Sequence, residues 1–150
     1  MRILADLPHD QQSYVENRLR SNLMAWLTTV RPSGQPDQVP VWFLLRTDET
    51  ILVYSQPGKP KLRNIQQNPN VALGLDVTDV GRDVVRIEGT ARVDPAVGPP
   101  HNSAEFIAKY AERIGALFDT TERFGQLFST PIVIVPRRVR ASSPSTRSLD

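Results

Sequence analysis

YSQPGKPKLRNIQQNP, Tyr54–Pro69, is the stretch on which the reading of the chain turns. It follows ILV, with which Tyr54 and Ser55 complete a short strand, Ile51–Ser55. Gln56–Gly58 reads as a loop, since Pro-Gly pairs punctuate the backbone. Pro60 suits the first turn of a helix, where its missing N–H has no partner to lose. Asn68-Pro69 ends that helix. Lys59, Lys61 and Arg63 therefore crowd a helix start, the end at which the helix dipole disfavours cations. Two readings account for them. One is a solvated helix face. The other is an anion site, because helix N-termini present unpaired N–H groups that attract phosphate. The lysines would add point charge and Arg63 a bidentate contact. Position favours the second reading: the cluster directly follows a strand end and a glycine-containing loop, with Ser55 and Asn64 beside it.

Upstream, Asp10–Ser21 reads as a helix with Tyr14, Leu19 and Leu23 on a loose apolar side. Leu23–Val30 reads as a strand, RPSGQ as a hairpin turn, and Pro36–Arg46 as a second strand. That second strand contains VPVWFLL, apolar on both faces. It is buried on both sides, or one face meets a ligand or a partner chain. TDET turns the chain into Ile51–Ser55. Downstream, Val71–Val77 is a fourth strand and TDVGRD a turn. Val84–Val93 is a fifth strand, with Val85, Ile87, Gly89, Ala91 and Val93 on one face and Arg86, Glu88, Thr90 and Arg92 on the other. DPAVGPPHNS, residues 94–103, is a loop of no assigned role. Ala104–Leu117 is a helix whose stripe is Phe106, Ile107, Tyr110, Ile114 and Leu117. Thr120 or Thr121 caps a short helix through Phe128. Ile132–Arg140 is the last strand, and 142–150 has no apolar content to bury and reads as a disordered tail. The expected fold is mainly β with helices (α+β): one domain over 1–141, with six antiparallel strands. Such a sheet can close into a small barrel, which removes exposed edges.

The composition of the 150 residues excludes several classes. With no cysteine, disulfides, thiolate catalysis and cysteine-based zinc sites are out. No apolar run nears the ~20 residues that span a bilayer, and MRILADLPHD lacks a secretory apolar core. A cytoplasmic location away from membranes is expected. The net charge of +2 makes a weak case for nucleic acid, although Arg137, Arg138, Arg140 and Arg147 cluster late in the chain. No dinucleotide or P-loop fingerprint occurs, and no zinc-protease motif. His9 and His101 lie far apart without an evident partner, so no metal site and no catalytic residue is assigned. Asp76, Asp79 and Asp83 read as turn and solvent residues. Trp26 reads as core. Trp42, in the run apolar on both faces, reads equally as core or as a ligand or dimer contact. Arg86 and Glu88 read as surface, as cross-strand ion pairs, or as ligand contacts from a neighbouring subunit.

Four stretches in this order resemble one family: WLTTVRPSGQPDQVPVWFLL, YSQPGKPKLRNIQQNPNVAL, VVRIEGTARV, and KYAERIGAL with TPIVIVPRRVR. Over roughly Leu23–Arg140 the chain resembles the pyridoxamine-phosphate-oxidase-like split β-barrel superfamily, whose fold binds flavin mononucleotide (FMN). Within it, the chain most resembles the actinobacterial flavin and deazaflavin oxidoreductases. The resemblance implies a homodimer with two cofactors in grooves between subunits. It places the cofactor phosphate on Ser55, Lys59, Lys61 and Asn64, with Arg63 beside them. It places the ring system against Thr28, Val41 and Trp42, with Arg86 contributed by the other subunit. The late helix and Pro-Val-Trp-Phe resemble the branch that uses the deazaflavin coenzyme F420, which implies hydride transfer to a small unsaturated or quinone-like substrate. FMN is the alternative cofactor. A carrier that binds without turnover is a further alternative.

Overall fold

The computed structural model of the chain describes residues 1–75 and 83–142. A single 3-10 turn, Arg2–Leu4, precedes helix α1 (His9–Ser21). Strands β1 (Ala25–Val30) and β2 (Pro36–Val41) form a hairpin, and the two-residue strand β3 (Leu44–Leu45) pairs with β4 (Ile51–Ser55). Helix α2 (Pro60–Gln67) leads to β5 (Asn70–Leu75) and β6 (Val85–Val93). Helices α3 (Ala104–Phe118) and α4 (Thr121–Leu127) precede β7 (Thr130–Ala141). The expected turn TDVGRD, apart from Asp83, lies outside the described residues, as do Asp76, Asp79 and the tail beyond Ser142.

All pairings are antiparallel, in the order β2-β1-β5-β6-β7-β4-β3. This order dictates the shape. β2 and β3 are the opposite ends of the sheet, yet only Trp42 and Phe43 separate them in sequence. Three Cα steps reach about 11 Å. A flat sheet of this order would hold its ends about 29 Å apart, six strand spacings. The sheet must therefore curl until its ends nearly meet, and it forms a half-barrel.

This corrects the expectation of one strand over Pro36–Arg46, and with it the strand count: seven strands, not six. A single straight strand cannot pair with β1 at one end of the sheet and β4 at the other. The backbone leaves the ladder at Trp42-Phe43, and α3 satisfies what the ladder no longer can. The buried Tyr110 hydroxyl accepts from the Phe43 N–H at 2.8 Å. Its own single proton faces two carbonyls, Leu23 at 2.8 Å and Phe43 at 3.0 Å. The Lys109 ammonium donates to the Phe43 carbonyl at 2.8 Å and stands over the Phe43 ring. A buried backbone group left unpaired costs about 1–3 kcal/mol, so these two side chains make the break tolerable.

The sheet separates two cores. Inside the curl lie Leu27, Phe43, Ile51, Val53, Leu73, Ile87, Ile132 and Ile134, closed by Leu4 of the first turn, Val15 and Leu19 of α1 and Ile65 of α2. Outside it, Leu44, Leu52, Tyr54 and Val133 meet Phe106, Tyr110 and Ile114 of α3 and Phe124 of α4. β4 is thus buried on both faces, which explains its unbroken apolar run. The α3 stripe continues to Phe118, not Leu117, which is 67% exposed. Positions 106, 110, 114 and 118 share a face at i, i+4 spacing, while Leu117 falls on the flank. Trp26, expected in the core, is 38% exposed on the outer face of β1.

β6 and β7 carry one irregularity. Glu88 faces Arg138 and Gly89 faces Pro136, so Arg137 is an extra residue in β7, a β-bulge. Both neighbours suit it. Pro136 has no N–H to give the ladder, and proline in an interior strand belongs at bulges. A Cβ on Gly89 would stand 2.5 Å from the Val135 carbonyl oxygen, so glycine is required.

Three outcomes follow from these contacts. Tyr110→Phe will destabilise the chain by about 1–3 kcal/mol in urea unfolding, because it strips the buried Phe43 N–H and the part-buried Leu23 carbonyl of this partner. Gly89→Ala will cost about 1–3 kcal/mol by the same assay, through overpacking against rigid backbone. Burial pushes Lys109 down to about 8 from its ordinary 10.5. Between those values the unfolded chain binds more protons than the folded one, so stability from this group rises with pH. The stability difference between the parent chain and Lys109→Met will grow in the parent's favour from about pH 8 to 10.

Candidate cofactor site

The opening of α2 is built as its sequence implies. Gly58 has φ +76, a left-handed conformation that lets the loop reverse without strain. Lys59 is the N-cap, Pro60 is the first helical residue, and no side chain caps the turn. Lys59 and Arg63 are exposed. Lys61 is half-buried, and its ammonium is pushed down chiefly by desolvation and secondarily by Lys59. Ser55 is fully buried; its hydroxyl donates to the Gln56 carbonyl at 2.8 Å and keeps its acceptor lone pairs. Asn64 is also buried, and its amide donates to the Thr29 hydroxyl at 3.0 Å. That bond ties α2 to β1, so Asn64 positions the cradle through β1.

Lys61 also belongs to a second feature. A cavity of about 280 Å3 is lined by Met24, Pro40, Val41, Trp42, Tyr54, Lys61, Phe106, Phe118, Phe124 and Phe128. Its walls are apolar and largely aromatic, and Lys61 is their single charged member. Trp42 leaves the ladder at the crossover and enters this layer. It stacks on Tyr110 at 4.7 Å and 5°, stacks on Phe124 at 5.5 Å, and meets Phe118 edge-on. Tyr54 meets Phe106 edge-on at 5.0 Å, and burial raises its hydroxyl pKa.

The loop over 94–103 acquires a role here. Its two 3-10 turns, Pro95–Val97 and Pro100–Asn102, each begin with a proline, and Asp94 caps the first. Tyr54 donates to the Gly98 carbonyl at 3.2 Å, and Val97 packs on the aromatic layer. At Gly125 of α4 a Cβ would stand 2.8 Å from His101 Nδ1. The loop therefore holds α4 and Tyr54 in place around the cavity.

The expected site residues divide. Val41, Trp42 and Lys61 share the cavity wall. Ser55 and Asn64 lie beneath the α2 opening, with Lys59 and Arg63 at its surface. Thr28 is half-buried on β1 and accepts from Gln38 at 3.3 Å, away from the lining. Arg86 stands in a different groove, beside β7. The rest of the lining was not identified from sequence as a site. Its one signal is aromatic spacing, 106 and 118 on α3 and 124 and 128 on α4, which reads as core until the cavity is seen. No nucleophile–base pair lines the cavity. Among the described residues no group of three or more His, Asp or Glu is placed to hold a metal, and no helix is long and apolar enough to cross a membrane. The cavity thus offers an apolar, aromatic wall with one cation in it.

Solved structures of similar fold show this architecture in proteins with different uses. An F420 reductase is 23% identical with TM-score 0.62, covering 83% of this chain and 94% of that one. General stress protein 26 from Bacillus anthracis is 18% identical with TM-score 0.65, covering 88% and 93%. The heme storage protein HutZ from Vibrio cholerae is 13% identical with TM-score 0.60, covering 89% and 94%. At these identities the likeness concerns the fold. No curated protein matches the chain in sequence. The profile of the family described as pyridoxamine 5'-phosphate oxidase matches residues 13–142, which include every strand and the α2 cradle. By that match the chain belongs to the pyridoxamine 5'-phosphate oxidase family.

Proposed function

We propose that the chain is an oxidoreductase that binds coenzyme F420 and reduces a small, flat, unsaturated or quinone-like substrate. The observation that carries this reading is the double position of Lys61. It stands on the first turn of α2, beside Lys59, and it is also the one charged wall of the aromatic cavity. A ligand that joins an anion to a flat ring uses both at once. At about 280 Å3 the cavity lies at the lower edge of ordinary ligand pockets. It takes a ring, and the phosphate stays outside on α2.

The bound deazaflavin supplies a two-electron hydride, and the chemistry is the cofactor's. The chain's own residues bind and orient. Lys59 and Lys61 hold the phosphate, with Arg63 at reach, and Ser55 offers its hydroxyl below. Val41 and Trp42 give the ring an apolar wall, and the phenylalanines of α3 and α4 exclude water. Alignment and water exclusion are what such a transfer needs from a protein. Tyr54 is held by Gly98 and is not assigned as a proton donor.

The proposal includes a homodimer with the cofactor between subunits, Thr28 near the ring and Arg86 supplied by the partner. The outer face of β1 supports it: exposed Trp26 stands opposite Pro40 and Gly74, so a flat apolar patch is open there. FMN is the competing cofactor, because it too joins a phosphate to a tricyclic ring. The two differ in the acidic tail that F420 carries beyond the phosphate.

Fluorescence titration of the purified chain with F420 and with FMN separates them. Saturable binding of F420 in preference to FMN is expected, followed by substrate reduction in a screen of enones and quinones. Preference for FMN moves the chain to flavin chemistry, and binding without turnover makes it a carrier. Lys61→Ala will weaken cofactor binding by about 1–3 kcal/mol, the scale of a lost charge-assisted hydrogen bond. Unchanged affinity would place the phosphate elsewhere.

A further inference from the structure

A second concavity, about 660 Å3, lies between the Arg2–Leu4 turn and the outer side of β6 and β7. Arg2, Arg86, Arg137, Arg138 and Arg140 line it, against the single carboxylate of Asp6. Three observations set it apart from scattered surface charge. Four arginines elsewhere, Arg20, Arg31, Arg92 and Arg123, each have a carboxylate partner. Among the described residues none of the five groove guanidinia has one, and Arg137 makes only a 3.4 Å bond to Thr90. Next, Arg86 and Arg140 are directly opposed across the β6–β7 ladder. Like charges in that register destabilise a sheet. Finally, the bulge recruits Arg137. Under strict alternation Arg137 would point away from Arg138. As the extra residue it is exposed together with Arg138, and both line the groove. Gly89 and Pro136, which the bulge requires, thereby serve the groove as well as the fold.

We propose that this groove binds a small oligophosphate, an anion carrying two or more linked phosphate groups. All five cations are arginine, whose planar fork engages phosphate oxygens in pairs. Even with Asp6 in the lining and Glu88 opposite Arg138 in the ladder, five guanidinia exceed what one phosphate can satisfy, and a phosphoanhydride chain concentrates several charges in a short length. The proposal goes beyond the cofactor site: Arg86 is the one groove residue that the proposed dimer shares with it, and neither Lys59 nor Lys61 belongs to this groove.

The test is calorimetric titration of the full chain with inorganic tripolyphosphate at low salt, with citrate as the polycarboxylate control. Saturable binding, weaker for citrate, is expected. Arg137→Ala/Arg140→Ala will weaken it about tenfold or more, since each lost charge-assisted contact is worth a large part of that factor. Lys61→Ala will leave it unchanged, although that substitution weakens F420. Should the double variant not fold, amide shifts of the parent chain on titration decide the matter, and changes at 86 and 137–141 support the groove. No saturable binding, equal binding of citrate, survival of binding in the folded double variant, loss of binding in Lys61→Ala, or amide shifts confined to α2 would each overturn the proposal.

Discussion

The crossover at Trp42-Phe43 is the constraint on which the rest of the structure depends. Two residues connect opposite ends of a seven-stranded sheet, so the sheet has to curl, and the backbone at that point has to leave the ladder. Tyr110 and Lys109 supply the missing partners from α3. The helix is therefore more than a cover on the sheet. It is bonded to the one place where the sheet is interrupted. The same departure swings Trp42 out of the strand and into the layer where the cavity forms. Fold and cavity share a cause.

From that cause the site's chemistry follows by position. β4 is buried on both faces, with Ile51 and Val53 in the inner core and Leu52 and Tyr54 in the outer one. Its end delivers Ser55, Gly58 and then α2 to the rim of the outer aromatic layer. The cradle is thus set beside the cavity by the length of one strand and one turn. Asn64 fixes the relation by bonding to Thr29, so α2 cannot rotate about its axis without breaking a buried hydrogen bond. A cation at the edge of an aromatic slot is then an outcome of backbone geometry, and only the identity of residue 61 remains for the sequence to choose.

How much of this the sequence discloses depends on the range of the interaction. The Ile51–Ser55 strand and the Pro60 helix start are legible because proline, glycine and a short apolar run are local signals. The alternation of Val85–Val93 is legible for the same reason. The break inside VPVWFLL is not, since nothing local marks it and its partner, Tyr110, lies 67 positions away. The β7 bulge is hidden likewise: Pro136 hints at it, but the close approach of Gly89 and Val135 joins distant segments. Leu117 and Trp26 look like core in a pattern and are exposed because no element among the described residues covers them. Of the proposed cofactor residues, the α2 cluster could be read from its spacing. The cavity could not, because its phenylalanines come from two helices that a periodicity treats only as core.

The two basic sites differ in the kind of cation they use, and the difference is physical. On α2 the cations nearest the cavity are lysines, point charges on flexible stems. Lys61 is half-buried, and desolvation lowers its pKa, so a phosphate beside it offsets that desolvation as well as gaining a contact. The groove on β6 and β7 uses arginine alone, whose charge does not titrate in the accessible range. A site of that kind holds its charge at every working pH and discriminates by geometry, through paired guanidinium bonds. The chain's small net charge conceals this division, because acidic residues elsewhere balance it. A protein that gathers five arginines without an ion-pair partner among the described residues in one concavity, two of them opposed across a ladder, has placed unfavourable electrostatics where a multiply charged ligand would relieve them.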